Sequence, residues 1–167
     1  MGRQQVRCHG DERRFEIVAD FVAETYGKSV DYIADVAGGQ GLLARLLNKK
    51  YNYHAEVVDP RGHTLTGVAG RACPYTADMA GYYDLVIGLH PDEAVRPVVE
   101  SALRRPMLVV PCCNHWDSSQ KLGAKELVAS ICRWLEEQGV KYETVVFNFD
   151  GPKNVGIWTR GQAFSFR

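Results

Sequence analysis

A cluster of closely spaced glycines limits what this chain can fold into. The segment DVAGGQG, from Asp35 to Gly41, ends an apolar stretch (30–36) and opens another (41–49) whose leucines recur at helical spacing. This pattern predicts a buried strand, a tight turn and a helix. Glycines in such a turn let the backbone approach a ligand, and the first helical turn offers unpaired N–H groups to a carboxylate or phosphate. The segment therefore predicts an α/β domain with a ligand site at the end of its first strand.

The rest of the chain alternates between strand-like and helix-like stretches. Strands are predicted over 30–36, 54–58, 83–89, 106–110, 143–149 and 155–159, and helices over 12–26, 41–49, 92–104 and 121–138. The stretch 63–81 is less regular and could hold a short helix and a weak edge strand. A short loop joins the last two strands, which is typical of an antiparallel pair. We predict a three-layer α/β sandwich of the Rossmann-like type, whose mostly parallel sheet of seven or six strands ends in a C-terminal antiparallel hairpin.

Length and charge restrict the class of protein. The 167 residues suit a single domain, 1–167, and 20 basic residues balance 20 acidic ones. This balance argues against a protein that grips nucleic acid through charge alone, because phosphate binding usually needs a basic surplus. No apolar stretch approaches the ~18 residues needed to span a bilayer, and the five scattered cysteines do not resemble a disulfide framework. We predict a cytoplasmic protein with no membrane partner.

Two carboxylates accompany the glycines. Asp35 precedes them, where it could accept a hydrogen bond from an amino group. Asp59 ends the next predicted strand, where a carboxylate can hold both hydroxyls of a ribose. A dinucleotide enzyme would use the same chemistry, and glycines can also serve only to make a tight turn. The residues by themselves leave these alternatives open.

DVAGGQG and the later VVDP together resemble the first two motifs of class I S-adenosylmethionine-dependent methyltransferases. That family usually has an acid followed by glycines at alternate positions, and here Ala37 stands at the first of them. The resemblance implies that the cofactor S-adenosylmethionine is bound by Asp35, Ala37, Gly38, Gly39, Gly41, Asp59, Asp78 and His90. Within this set it implies that Asp35 and Gly39 contact the methionine moiety, Asp59 the ribose and Asp78 the adenine amino group.

A histidine follows the predicted strand 83–89, in the segment GLHPDE. In class I methyltransferases this strand end faces the methyl group, so the resemblance implies that His90 contacts the acceptor. A side chain with a pKa near neutrality is suited to removing a proton from a hydroxyl or amine. The alternative is a histidine that caps the strand and hydrogen-bonds to backbone.

The segment PCCNHW follows the next predicted strand and allows several roles. Asn114 and His115 could hold the acceptor, with Trp116 as a stacking surface for a base. Cys112 or Cys113 could instead attack a pyrimidine ring covalently. Metal binding, for which the ligands would be Cys112, Cys113, His115 and His90, ranks lowest, and we predict no metal. The cysteines could also pack as small hydrophobic residues.

Three short motifs resemble those of RNA-directed methyltransferases, some of which act on tRNA. They are GLHPDE, PCCNHW and the hairpin segment GPKNVG. The resemblance implies transfer of a methyl group to an oxygen or nitrogen of RNA. A chain without net charge would need a local basic patch for that partner, with the candidates Lys49, Lys50, Arg61, Arg71 and Lys153. A protein partner or a homodimer would extend the surface.

Two other functions stay open. One is a methyltransferase for a small molecule, enclosed by the aromatic residues Tyr75, Tyr82, Tyr83 and Trp116. The other is a non-catalytic partner subunit that keeps the fold without the chemistry.

Overall fold

The computed structural model describes residues 4–161 and contains one seven-stranded sheet. The strands are β1 (Tyr32–Val36), β2 (His54–Val58), β3 (Gly70–Arg71), β4 (Leu85–Leu89), β5 (Met107–Val110), β6 (Glu143–Val146) and β7 (Val155–Trp158). Their order is β3-β2-β1-β4-β5-β7-β6. β7 runs antiparallel to both β5 and β6, and the pairs from β3 to β5 are parallel. The predicted mostly parallel sheet of seven or six strands with a terminal antiparallel pair is confirmed, and it has seven strands.

Helices cover both faces of the sheet. They are α1 (Arg13–Tyr26), α2 (Leu42–Tyr51), α3 (Val95–Glu100) and α4 (Ala124–Glu137). The side chains of each central strand alternate between two apolar cores, so that Ile33 packs with α1 and α2 while Ala34 packs with α3 and α4. This alternation follows from the two-residue period of a strand and produces the predicted three layers.

Two predicted elements are shorter or more broken than their sequence pattern suggested. The predicted helix 92–104 becomes a 3₁₀ turn, α3 and a second 3₁₀ turn, because Asp92 has a left-handed φ of 47° and Ala94 a ψ near zero. The predicted strand 143–149 ends at Val146, after which one backbone hydrogen bond, from Phe147 to Asn154, continues the pairing. The irregular stretch 63–81 does contain a short edge strand, β3, and a 3₁₀ helix, Ala77–Tyr82.

The topology brings four loops together at one edge of the sheet. β1 lies between β2 and β4, so the order of the strands reverses at β1. Crevices at such a reversal, outside the carboxyl ends of the strands, are where open α/β sheets bind ligands. Asp35 sits opposite Val57 of β2 and Ile87 of β4, so the glycine segment emerges at this point. Within 4–161, none of the helices has the length and apolar composition to cross a membrane.

Candidate functional site

A cleft runs along the carboxyl ends of β1, β2, β4 and β5 and consists of two adjoining cavities. The β2-side cavity has a volume of about 580 Å³ and is lined mainly by apolar residues: Val58, Pro60, Pro74, Tyr75, Ala94 and Pro97. The β5-side cavity has a volume of about 380 Å³ and is lined by the glycine loop, His90 and both adjacent cysteines. Ala37, Arg61 and Asp92 line both cavities and so mark the boundary between them.

The carboxyl group of Asp35 is buried beneath the glycine loop. It is 2% exposed, and its Oδ2 accepts a hydrogen bond of 3.2 Å from the backbone N–H of Ala44. Burial raises the pKa of Asp35 to about 7, and the negative charge of Asp59 adds to the increase. A Cβ at Gly38 would lie 2.5 Å from this carboxyl group, so a glycine is needed there. Asp35 therefore lies where the sequence predicted, and its carboxyl group leaves room only for a glycine at position 38.

The next two glycines have different surroundings. Gly39 has a φ of 58°, and a Cβ there would meet nothing closer than an Arg61 nitrogen at 3.7 Å. Its position borders the open β5-side cavity. Gly41 has a φ of 81°, and a Cβ there would lie 2.6 Å from Val68 and 2.8 Å from Val57. Gly39 thus faces the cleft, whereas Gly41 is required by packing of α2 against β2.

Ala37, at the position where the family usually has its first glycine, adopts a φ of 54°. Its backbone N–H donates to the carbonyl of Val58 at 2.9 Å and ties the loop to the end of β2. The left-handed conformation explains why a glycine is the usual residue there, since a Cβ makes it costly.

Asp59 is 2% exposed and all four of its acceptor positions are used. Oδ1 accepts from the backbone N–H and Nε of Arg61, at 2.9 and 3.0 Å. Oδ2 accepts from Arg61 Nη2 at 2.7 Å and from the backbone N–H of Gly39 at 3.0 Å. Burial alone would raise the pKa of Asp59, but these bonds outweigh it and lower the pKa to about 2. Asp59, the residue predicted to hold a ribose, is therefore ionised, and Arg61 already donates to both of its carboxylate oxygens.

His90 follows β4 with a φ of 53° and lines the β5-side cavity. Its Nε2 lies 2.8 Å from the carbonyl oxygen of Lys153. Because a carbonyl can only accept, Nε2 carries the proton in the neutral ring and Nδ1 is left as an acceptor. Burial lowers the pKa of His90, and the charges of Arg14 and Lys153 lower it further. The ring does bond to backbone, as the alternative supposed, yet it retains an unprotonated nitrogen.

The two adjacent cysteines meet different partners. Cys112 donates from Sγ to Oδ1 of Asp92 at 3.0 Å. Burial, together with this bond, raises the pKa of Cys112 to about 12, so the group is a thiol at neutral pH and a poor nucleophile. Cys113 is exposed, and Lys153 Nζ lies 3.6 Å from its sulfur. Single ligand atoms of Asp92, Cys112 and Cys113 lie within 4.8 Å of one another, and the histidines considered as ligands are not in that group.

Two other predicted site residues, Asn114 and Asp78, have roles outside the cleft. Asn114 uses its side-chain amide within its own loop, donating to the carbonyls of Asp117 and Gln120. It lines neither cavity, so the prediction that it holds the acceptor lacks geometric support. Asp78 is also outside the cleft: it pairs with Arg104 at 3.2 Å and its side chain is 85% exposed, which does not fit contact with adenine.

Trp116 is buried, and its ring contacts both the guanidinium of Arg96, at 3.9 Å, and the ring of Trp134. A ring covered in this way offers no stacking surface for a base. His115, by contrast, is exposed and lines the β2-side cavity, apart from His90. Of the four aromatic residues considered for a small substrate, Tyr75 borders the cleft.

The predicted basic patch is largely neutralised by ion pairs. Lys50 contacts Glu16 and Asp20. The other two paired members are Arg61 with Asp59 and Arg71 with Glu56. Among residues 4–161, Lys49 and Lys153 have no carboxylate within ion-pair distance.

Sequence reasoning missed that Arg61 and Asp92 lie between the two cavities. The position of Arg61 could have been predicted, because it comes two residues after Asp59 in a turn that contains Pro60. This turn brings Arg61 back to the carboxylate of Asp59. Asp92 comes two residues after His90 in the segment GLHPDE, and with its left-handed φ of 47° its carboxylate accepts a hydrogen bond from the Cys112 thiol.

No protein-family profile matches the chain, and no curated protein matches it. Solved structures do match. The sugar N-methyltransferase KedS8 from a Streptoalloteichus species is 14% identical with a TM-score of 0.55, over 97% of this chain and 99% of that one. The N-methyltransferase NodS from Bradyrhizobium japonicum is 11% identical with a TM-score of 0.52, over 90% and 99%. The plantazolicin methyltransferase BpumL, in complex with S-adenosylhomocysteine, is 10% identical with a TM-score of 0.56, over 90% and 86%.

At these identities the likeness concerns the fold. The chain has the fold of the class I S-adenosylmethionine-dependent methyltransferases, as the sequence motifs predicted.

Proposed function

We propose that this protein transfers a methyl group from S-adenosylmethionine to an oxygen or nitrogen of a small molecule. One observation carries the proposal: Asp35 and Asp59 end neighbouring strands, and the open backbone of Gly39 lies beside them at the point where the strand order reverses. A ligand with an ammonium group at one end and a ribose further along fits that arrangement.

The residues present fit the cofactor, with one rearrangement. Asp35, with a pKa near 7, is partly ionised at neutral pH and can accept hydrogen bonds from the ammonium group. Gly39 leaves room for the methionine chain. The apolar β2-side cavity, with Val58, Pro60 and Tyr75, suits an adenine ring. Asp59 can hold the ribose hydroxyls after the side chain of Arg61 has moved away, because Arg61 otherwise fills its acceptor positions.

His90 is the candidate base for the acceptor. S-adenosylmethionine supplies, when bound, a methyl group already activated by the positive charge on sulfur. The protein then has to orient the acceptor and take up its proton. Nδ1 of His90 is unprotonated when the ring is neutral, and the lowered pKa keeps it neutral at physiological pH. The carbonyl of Lys153 fixes the ring through Nε2, so that Nδ1 is available to receive the proton.

Two observations favour a small acceptor over RNA. Three of the five basic residues expected to contact phosphates are held by carboxylates. Two of the structural neighbours are named as a sugar methyltransferase and a plantazolicin methyltransferase. The assignment of GLHPDE, PCCNHW and GPKNVG as motifs of RNA methyltransferases stays a hypothesis. A non-catalytic subunit stays the third candidate function.

The test combines binding with transfer. Calorimetry with S-adenosylmethionine and S-adenosylhomocysteine measures whether the cleft binds the cofactor. Incubation with methyl-labelled S-adenosylmethionine and separate RNA, protein and metabolite fractions then identifies the acceptor. We expect label in the metabolite fraction. Label in RNA would return the RNA hypothesis, cofactor binding without any label would favour a non-catalytic subunit, and absence of cofactor binding would overturn the proposal.

A further inference from the structure

Two cations from distant parts of the chain meet at the β5-side cavity. Arg14 belongs to the first turn of α1, and Lys153 belongs to the loop between β6 and β7. Both lower the pKa of His90 through their charge, which places both close to the candidate base. Because Nε2 of His90 bonds to the carbonyl of Lys153, the histidine and this loop are held together.

In the part of the chain that the structure describes, neither cation is neutralised by a carboxylate. The Arg14 guanidinium donates to the sulfur of Cys8 at 3.3 Å and to the carbonyl of Asp11 at 3.0 Å, and it lies over the ring of Phe15. Lys153 Nζ contacts the sulfur of Cys113. Among residues 4–161, neither forms an ion pair, whereas Arg61 at the same cavity does. Sulfur and carbonyl partners, in place of carboxylates, leave both positive charges available to a ligand.

The acids of this cavity compensate for these charges only in part, with Asp92 opposing Arg14 and Lys153 at His90. Asp35 is buried and, with a pKa near 7, only partly ionised. Asp92 is engaged by the Cys112 thiol and faces the Arg61 charge. Arg7 adds a third cation at the glycine loop, where its backbone N–H donates to the side chain of Gln40. S-adenosylmethionine itself carries a net positive charge, so the cofactor would increase the imbalance.

We infer that the methyl acceptor is a small anion, with a phosphate or carboxylate group that Arg14 and Lys153 hold beside His90. The inference rests on the proposed function and names the substrate class of the same site. Arg7 lies beside the glycine loop, where its charge suits the carboxylate of S-adenosylmethionine. Arg14 and Lys153 lie beside His90, the candidate base. An anion between them would place a neighbouring hydroxyl or amine of the same molecule at Nδ1 of His90.

Inorganic phosphate is the first probe, titrated into protein saturated with S-adenosylhomocysteine and followed by NMR. We expect saturable shifts of the His90 ring and Lys153 amide signals, and an increase in the His90 pKa, because a bound anion stabilises the imidazolium. Lys153→Met and Arg14→Gln should each weaken phosphate binding at least 5-fold. Lys49→Met is the matched control, since Lys49 is exposed at the far end of α2, and it should leave phosphate binding unchanged.

Anion-exchange chromatography of the labelled methyl product is the second probe. The product made from a small-molecule extract should be retained by the column. Loss of retention after phosphatase treatment would identify phosphate, and resistance would identify carboxylate; both support the inference. A neutral or cationic product, or equal phosphate binding by wild type, Lys153→Met and Lys49→Met, would overturn it. Failure of S-adenosylhomocysteine to bind at all would instead overturn the proposed function, so the two failures are distinguishable.

Discussion

The carboxylate of Asp59 is clasped by the guanidinium of Arg61, with Nε 3.0 Å from Oδ1 and Nη2 2.7 Å from Oδ2. The carboxylate is buried, but the arginine side chain is 56% exposed. The pair lies between the two cavities of the cleft, so a ligand that uses both of them has to displace the exposed member. Under the proposed function, Arg61 therefore competes with the cofactor for Asp59.

Removal of the competing side chain should tighten cofactor binding. In Arg61→Met the carboxylate of Asp59 keeps the backbone N–H donors of Gly39 and of residue 61 but loses the guanidinium, so one acceptor position on each oxygen is free for a ribose. We expect S-adenosylhomocysteine to bind roughly 3- to 10-fold more tightly, the scale of an exposed ion pair that no longer has to be broken. Calorimetry measures this directly. Weaker binding would show that Arg61 stays in place and contacts the cofactor.

Loss of the carboxylate itself should have the opposite effect. Asp59→Ala should weaken S-adenosylmethionine binding by roughly 1.5–3 kcal/mol, the scale of a charge-assisted hydrogen bond left unmade. Asp78→Ala is the matched control, because Asp78 is exposed and pairs with Arg104 outside the cleft. An unchanged affinity in a folded Asp59→Ala protein would remove the ribose assignment, and a loss with Asp78→Ala would restore the adenine assignment.

The buried carboxyl group of Asp35 should make both stability and cofactor binding depend on pH. Its pKa is about 7 in the folded protein against 3.8 for the ordinary group, so between these values the folded state holds the proton more tightly. Stability from this group is therefore present at low pH and is lost as pH rises from about 4 to about 7. Binding of an ammonium group needs the ionised form, so affinity should increase from pH 6 to pH 8.

Asp35→Asn tests both consequences. The amide is isosteric and uncharged, and its oxygen can still accept from Ala44. We expect the ligand-free variant to gain ~1–4 kcal/mol relative to wild type between pH 4.5 and pH 8, measured from thermal unfolding at the two pH values. The increase in cofactor affinity with pH should disappear. A constant difference in Tm across this range would contradict the raised pKa.

The sequence predicted the parts of the site that regular structure positions. Asp35 and Asp59 end buried strands, and parallel strands bring such ends to one edge, so their proximity follows from the pattern. Asp78, Asn114 and Trp116 lie outside the strands and α-helices. Asn114 bonds to carbonyls of its own loop, whereas the roles of Asp78 and Trp116 depend on partners far along the chain. Arg104, Arg96 and Trp134 supply those partners, and no local pattern identifies them.

A base role for His90 separates catalysis from binding. His90→Asn removes the base with a residue that tolerates the left-handed φ of 53°. We expect kcat to fall roughly 10²- to 10⁴-fold while S-adenosylhomocysteine affinity stays within about 3-fold. In wild type, burial lowers the His90 pKa, so the rate should rise with pH below 6.5 and be level above neutrality. If affinity, stability and activity decline together, His90 is a structural cap.

Alanine substitutions in the glycine loop separate two effects of an added Cβ: backbone strain at a positive φ, and loss of the space that a ligand needs in the cleft. Gly39 and Gly67 have similar positive φ values, 58° and 85°, and neither has an atom within 3.5 Å of an added Cβ. An alanine at either position should cost ~1–2 kcal/mol of stability through the left-handed conformation alone. Of these two glycines only Gly39 borders the cleft, so Gly39→Ala should weaken S-adenosylhomocysteine binding at least 10-fold while Gly67→Ala leaves it unchanged.

Gly41→Ala should lose more stability than either, because its Cβ would lie 2.6 Å from Val68. Thermal unfolding and calorimetry on the three variants check this order, and a Gly39→Ala protein with full affinity would show that the ligand does not pass over the loop at Gly39.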